Sequence, residues 1–266
     1  MSYAVARIDY DQPTASAYKA VREIPRDGLS DWREAVRRHL HPSPGMTLVD
    51  IGAGTGQFSA AFSEWFGLRV AAVEPSAAMR DQIPKTEAIQ VFEGDASALP
   101  LPDSSADAAW LSLVIHHIAD LAAAAREIRR VLRPGAPVLI RQGFPGRLDR
   151  IELVHWFPET ARTVDTYPSV TDISDAFAAA GFHQEALEPV RETYPDNPGL
   201  ADLLAQLDTL RDADTSLRAL TEDEFRRGKE RLRRAAQQAE DTRSNWLDLL
   251  VLRPLFAPPV RITADW

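Results

Sequence analysis

The sequence predicts an α/β protein built on a doubly wound, mostly parallel sheet with helices on both faces. Three observations carry that expectation. Between residues 47 and 141, short apolar runs alternate with helix-like segments, the pattern of a parallel sheet covered on both sides. The first run leads into Asp50-Ile51-Gly52-Ala53-Gly54-Thr55-Gly56, a glycine-rich turn that opens a helix-like stretch. The second and third runs end at acidic residues, Glu74 and the pair Glu93 and Asp95. In sheets of this kind ligands lie across the carboxyl ends of the strands.

Each element follows from its own residues. Residues 1–44 form an N-terminal helical segment, in which Ser30 or Asp31 is placed to cap a helix with Trp32, Ala35, Val36 and Leu40 on one face. The stretch around Tyr10 and Tyr18 has no clear period. Strands are expected at 47–51, 69–73, 89–92, 107–113 and 136–141, and helices at 56–66, 76–82 and 120–132. Gly67 suits the residue after the first of these helices, Asp120 suits an N-cap, and Pro134-Gly135 marks a turn.

Beyond Arg141 the pattern changes. Residues 143–168 hold Phe144, Trp156, Phe157 and Tyr167, and 171–180 reads as a capped helix ending at Gly181. Strands are expected at 184–193 and 246–253. The connection between them, 195–244, is too long for a hairpin turn. It carries Leu200, Leu203, Leu204, Leu207 and Leu210 at helical spacing, then the capping-box form Thr221-Glu222-Asp223-Glu224. It reads as a helical insertion over the active-site edge, and its arginine-rich run 226–234 as a solvated helix face. The whole is expected to be a single domain: a core of 45–194 and 245–254, with the insertion and the N-terminal segment as additions.

Composition narrows the function. The chain has 266 residues, a net charge of −9 and no cysteine. The acidic balance disfavours a nucleic-acid partner, which needs a basic face. Absence of cysteine excludes thiolate metal sites and cysteine nucleophiles, and the histidines and acids show no ligand spacing, so no metal is expected. The start of the chain has no signal-type apolar region and no run approaches a membrane span, so a cytoplasmic protein without membrane contact is expected, as monomer or homodimer.

The glycine turn points to a particular ligand. Glycines let the backbone approach a ligand closely, and the N–H groups of the helix start face it. A dinucleotide fingerprint would place a small residue at position 57, where this chain has Gln57. That argues against NAD or FAD and for another adenosine-bearing molecule. Glu74, 18 residues past Gly56, is placed to accept ribose hydroxyls, and Asp95 to accept from an adenine amino group.

Six motifs in order now resemble one family: Asp50-Ile-Gly-Ala-Gly-Thr-Gly56, Glu74-Pro-Ser-Ala-Ala-Met79, Gly94-Asp-Ala96, Leu99-Pro-Leu-Pro-Asp103, Ile115-His-His-Ile118 and Glu127-Ile-Arg-Arg-Val-Leu-Arg-Pro-Gly135. They are similar to class I S-adenosylmethionine-dependent methyltransferases, nearest to the ubiquinone/menaquinone-biosynthesis branch. The resemblance implies a Rossmann-like sheet of seven strands, closed by an antiparallel final hairpin, with helical cap elements at either end. It implies S-adenosylmethionine as cofactor, held by Asp50, Gly52, Gly54, Gly56, Glu74, Met79, Asp95 and Ala96. It implies methyl transfer to an oxygen, nitrogen or carbon of a small metabolite, as in secondary metabolism.

His116 and His117 are the candidate general bases, since histidine titrates near neutral pH. Adjacent residues at a strand end generally point to different sides, so at most one of them is expected to face the methyl group. His155 and His183 are lesser candidates. Phe144, Trp156, Phe157, Tyr167 and Tyr18 are candidate walls of the substrate pocket, which for small molecules is mostly apolar and aromatic. A cofactor-binding scaffold, or a cofactor-assisted rearrangement, would need the same loop. A nicotinamide dehydrogenase fits less well because of Gln57 and the lack of a Tyr-x-x-x-Lys pair.

Overall fold

The computed structural model describes residues 23–194, 199–238 and 243–255. Seven strands form one sheet: β1 Thr47–Ile51, β2 Arg69–Val73, β3 Ile89–Phe92, β4 Ala108–Ser112, β5 Val138–Gln142, β6 Phe182–Thr193 and β7 Ser244–Pro254. Their order is β3-β2-β1-β4-β5-β7-β6. The first five run parallel, while β7 lies antiparallel between β5 and β6. The order reverses between β1 and β4, which opens a crevice at their carboxyl ends.

The sheet is buried on both faces, and side chains alternate between them with the strand period of two. Leu48, Trp110, Leu139 and Val251 join Trp32, Val36, Phe58 and Phe62 in one core. Val49, Leu111, Ile140 and Leu252 join Ile128, Ile173 and Phe177 in the other. On the first face Trp110 takes the edges of Trp32 and Phe62 at centroid distances of 5.9 and 5.1 Å. A third cluster, made by Leu203, Leu207, Leu217, Phe225 and Leu232 with Phe157, belongs to the segment between β6 and β7.

That segment folds as helices Leu200–Ala213, Thr215–Arg218 and Glu222–Ala236, the last opened by the capping box of Thr221 and Glu224. Its arginine-rich helix lies against acids: Lys229 reaches Asp208 at 2.7 Å, and Arg231 reaches Glu159 at 2.9 Å and the Trp156 carbonyl at 2.8 Å. Gly228 allows close approach, for a Cβ there would stand 2.1 Å from the Phe157 ring.

Two local expectations need correction. Neither Ser30 nor Asp31 caps the first helix, Ser30–Leu40; its N-cap is Leu29, with no side-chain hydrogen bond. A 3-10 turn, Arg26–Leu29, runs straight into it and supplies a backbone partner, the Asp27 carbonyl, to the Ser30 N–H. The expected helix 76–82 shortens to the single turn Ala77–Arg80, after which the Gln82 and Ile83 N–H groups bond only three residues back, to the Met79 and Arg80 carbonyls.

Candidate active site

The glycine turn lies at the carboxyl end of β1, against the end of β4. Gly52 sits at φ 69°, and a Cβ there would come within 2.4 Å of a Val114 methyl, so only glycine permits this packing. Gly56 caps the helix Gln57–Phe66 at φ 81°. The Gln57 side chain donates to the Ile24 carbonyl at 2.7 Å and so ties the entering chain to the loop.

Two buried carboxylates stand behind this loop. Glu74 accepts the Gly54 N–H on one oxygen and the Ser76 N–H on the other, each at 2.9 Å. Burial raises its pKa against the pull of those two N–H groups. Asp50 accepts the Ser59 hydroxyl at 2.5 Å. Burial pushes the Asp50 carboxyl up to about 7, and the Glu74 charge adds to the rise, while Ser59 opposes it.

Two cavities open at this sheet edge. The smaller, about 60 Å³, is lined by Asp50, Gly52, Ala53, Gly54, Thr55, Gln57 and Phe58. The larger, about 350 Å³, lies beneath the segment between β6 and β7, with Leu203, Leu210 and Ser216 on that side. Glu23, Leu113 and Arg141 line both. Leu113 holds left-handed backbone at φ 53°, a strained conformation of the kind found where function over-determines geometry. Its N–H donates to the Arg141 carbonyl at 2.9 Å.

Arg141 is itself buried. Its Nε donates to Glu192 at 2.8 Å, a terminal nitrogen makes a second, short bond to the same oxygen, and the other reaches the Ser112 hydroxyl at 2.9 Å. Its guanidinium lies 5.4 and 5.2 Å from the ring centres of Trp32 and Phe58. Glu192 also accepts from Trp32 Nε1 at 3.0 Å and from the Asn245 amide at 2.9 Å. Across the large cavity, Arg243 pairs with Glu152 at 2.8 Å.

The expected site residues divide. Asp50, Gly52 and Gly54 line the small cavity, whereas Gly56, Glu74, Met79, Asp95 and Ala96 do not. Glu74 acts on the loop through Gly54. Met79 is buried within the turn after β2, and Asp95 is exposed, with one carboxylate oxygen taken by the Ser97 N–H at 2.7 Å. Both histidines line the large cavity. Ile115–His117 is a 3-10 turn, which brings the two rings side by side, 4.1 Å apart. His116 also stacks on Tyr167 at 4.4 Å and 14°. His155 and His183 are exposed.

Of the expected substrate walls, Tyr167 alone lines the cavity among the described residues. Phe144 is wholly buried in the sheet core, and Phe157 in the core of the insertion, where it stacks on Phe225 at 5.7 Å. Trp156 packs against that same cluster. Tyr18 lies outside the described residues. Sequence reasoning missed Leu113, Arg141, Gln142 and Glu192. The one available signal was a charge at the end of an otherwise apolar strand, Val138-Leu139-Ile140-Arg141.

The methyltransferase domain family matches residues 49–140, the stretch that carries the loop, both carboxylates and the histidine pair. Within these residues the chain is similar to a methyltransferase domain. The chain is similar to malonyl-[acyl-carrier protein] O-methyltransferase of Serratia marcescens, 34% identical over 155 residues, which is 58% of this chain and 60% of the relative. It is also similar to demethylmenaquinone methyltransferase of Corynebacterium kroppenstedtii, 36% identical over 109 residues, covering 41% of this chain and 47% of the relative. The chain thus spans less than two thirds of the length of these relatives. In fold it matches a protein of Anabaena variabilis described as a methyltransferase from an antibiotic biosynthesis pathway. The TM-score is 0.68 at 23% identity, over 88% of this chain and 99% of the other.

S-adenosylmethionine is the cofactor that this similarity implies, and the residues present fit it. A positively charged sulfonium and ammonium suit a small cavity lined by the buried Asp50 carboxyl, with Glu74 buried behind the loop that forms its wall. The chain shows, among its described residues, no cluster of three or more ligating side chains for a metal and no helix long and apolar enough to cross a membrane.

Proposed function

We propose that the protein transfers a methyl group from S-adenosylmethionine to an oxygen, nitrogen or carbon of a small metabolite. The observation that carries this reading is the junction of the two cavities at Glu23, Leu113 and Arg141. When bound, S-adenosylmethionine supplies a methyl group on a cationic sulfur. Asp50 and the glycine turn hold that end of the cofactor, and Glu74, which braces the turn, accepts its ribose hydroxyls. Met79, Asp95 and Ala96 flank its adenosine end at the tips of β2 and β3. The large cavity takes the acceptor, and the helices 200–236 cover it and keep water from the reacting groups. His116, its ring fixed by the Tyr167 stack, accepts the proton of an acceptor hydroxyl or amine; His117 shapes the wall beside it.

The cavity volume and the covering insertion support a small metabolite as the acceptor, and the acidic net charge speaks against a nucleic-acid partner. The test is a screen of metabolite pools with methyl-labelled S-adenosylmethionine. Label transfer to a small molecule, with stoichiometric S-adenosylhomocysteine, is expected. Cofactor binding without transfer to any acceptor would leave a scaffold instead.

A further inference from the structure

We propose that the large cavity selects an acceptor that carries no negative charge, and that Gln142 fixes it by accepting a hydrogen bond from its hydroxyl or amino group. The proposal rests on the assignment of this cavity to the acceptor. It begins with the charges. Among the described residues the lining holds two arginines and four acids. Arg141 turns its Nε edge to Glu192 and its remaining terminal nitrogen to Ser112. Arg243 holds Glu152 through Nε at 3.0 Å and a terminal nitrogen at 2.8 Å, and lies 4.3 Å over the Tyr194 ring.

Both planar forks that would grip a carboxylate or phosphate are therefore engaged by the protein's own acids. The two other acids, Glu23 and Asp214, leave the lining negative. Asp214 uses its Oδ1 as a helix cap, accepting from the Leu217 N–H at 2.8 Å and the Ser216 hydroxyl at 2.6 Å. An anionic acceptor would have to break a buried pair or sit against like charge, and both are unfavourable in a site of low dielectric.

Gln142 supplies the attractive half of the selection. It follows Arg141 at the end of β5, lines the large cavity and is 4% exposed. Its Oε1 has no hydrogen-bond partner among the described residues, and its Nε2 has only a long contact to the Gly143 carbonyl, 3.4 Å. A buried acceptor left unmet is costly. The last torsion of a glutamine is broad, so the amide can turn its oxygen to a donor in the cavity. A hydroxyl or amino group meets that need, and a carboxylate or an ether does not.

The experiment titrates the protein, saturated with S-adenosylhomocysteine, with four probes on one bicyclic scaffold, read by ligand-observed NMR. They are 2-naphthol, 2-naphthylamine, 2-methoxynaphthalene and 2-naphthoate. The first two should bind at least about tenfold more tightly than the last two. Gln142→Leu should remove the preference for naphthol over its methyl ether and keep the rejection of naphthoate. Gln142→Glu, which retains an acceptor oxygen, should restore the preference. Glu152→Gln, which releases Arg243, should let naphthoate bind. Naphthoate binding as tightly as naphthol to the parent protein overturns the charge rule. An unchanged naphthol preference in folded Gln142→Leu overturns the role of Gln142. Binding of no probe, alongside label transfer in the metabolite screen, overturns both; failure of label transfer itself is a failure of the methyltransferase reading.

Discussion

Arg141 and Glu192, from neighbouring regions of the sheet but fifty-one positions apart in sequence, form an ion pair whose side chains are 6% and 1% exposed. Removing one partner of such a pair leaves an uncompensated buried charge. Glu192→Ala should destabilise the protein by about 3–5 kcal/mol. The apolar pair Arg141→Met with Glu192→Leu should recover most of that in urea unfolding, yet leave turnover low, because the junction of the cavities loses its polar wall. Full turnover in the apolar pair would make Arg141 purely structural.

Asp50 gives the protein a pH signature. Its carboxyl titrates near 7 when folded and near about 4 when unfolded, so the folded state binds the proton more tightly. Stability from this group is present at low pH and is lost as pH rises from about 4 through about 7. Asp50→Asn, which keeps an oxygen for the Ser59 hydroxyl, should be more stable than the parent at pH 8. At pH 4 the difference should vanish. Denaturation at the two pH values checks the sign.

The same carboxylate should link cofactor binding to protons. S-adenosylmethionine favours ionised Asp50, so its affinity should fall as pH drops below 7, with proton release on binding at pH 6.5. Calorimetry in buffers of different ionisation enthalpy measures that release directly. A binding enthalpy independent of the buffer would exclude Asp50 from the linkage.

Glu74 braces the loop through the Gly54 and Ser76 N–H groups. Glu74→Ala leaves both donors bare, and should weaken S-adenosylhomocysteine binding by about 1–3 kcal/mol. Glu74→Gln, with one oxygen retained, should lie between. An unchanged dissociation constant in both would show that the loop holds itself.

Gly228 tests the insertion separately from the sheet. A methyl there meets the Phe157 ring, so Gly228→Ala should destabilise this cluster by about 1–3 kcal/mol. Acceptor turnover or selectivity should fall while S-adenosylhomocysteine binding persists. Loss of cofactor binding in a protein with unchanged circular dichroism would separate the insertion from the acceptor.

The histidines share one wall but differ in their supports. His116→Gln should reduce turnover by about 10²–10⁴-fold with little change in cofactor affinity, and should flatten the acid limb of the pH–rate profile. His117→Gln should reduce it less and keep that limb. Identical profiles in the parent and both variants would leave positioning as the whole of catalysis.

Much of this was legible in the chain. Strands β1 to β5 read clearly because a sheet buried on both faces demands continuous apolar runs, and the loop read clearly because few residues other than glycine tolerate its backbone. The acceptor side was less legible. Phe144, Trp156, Phe157 and Tyr167 look alike in sequence, and burial in the sheet, in the insertion or at a cavity is decided by packing partners far along the chain. Glu192 gave no sign at all: it stands in the same polar alternation as Glu185 and Glu188, and its meaning comes from Arg141, Trp32 and Asn245. The Ser30 cap failed because a preceding turn had already satisfied the backbone.

The insertion leaves the sheet after Thr193 and returns at Ser244, and those two residues face each other in the ladder of β6 and β7. Its two ends are thus pinned side by side, whatever lies between them. Lengthening or exchanging such a loop adds only about 0.6 kcal/mol of closure entropy per doubling. The strand pairing, the glycine turn and the cofactor carboxylates would not register the exchange. On the proposed function, an exchange between those two anchored ends would change what the acceptor meets and leave the donor half of the molecule as it is.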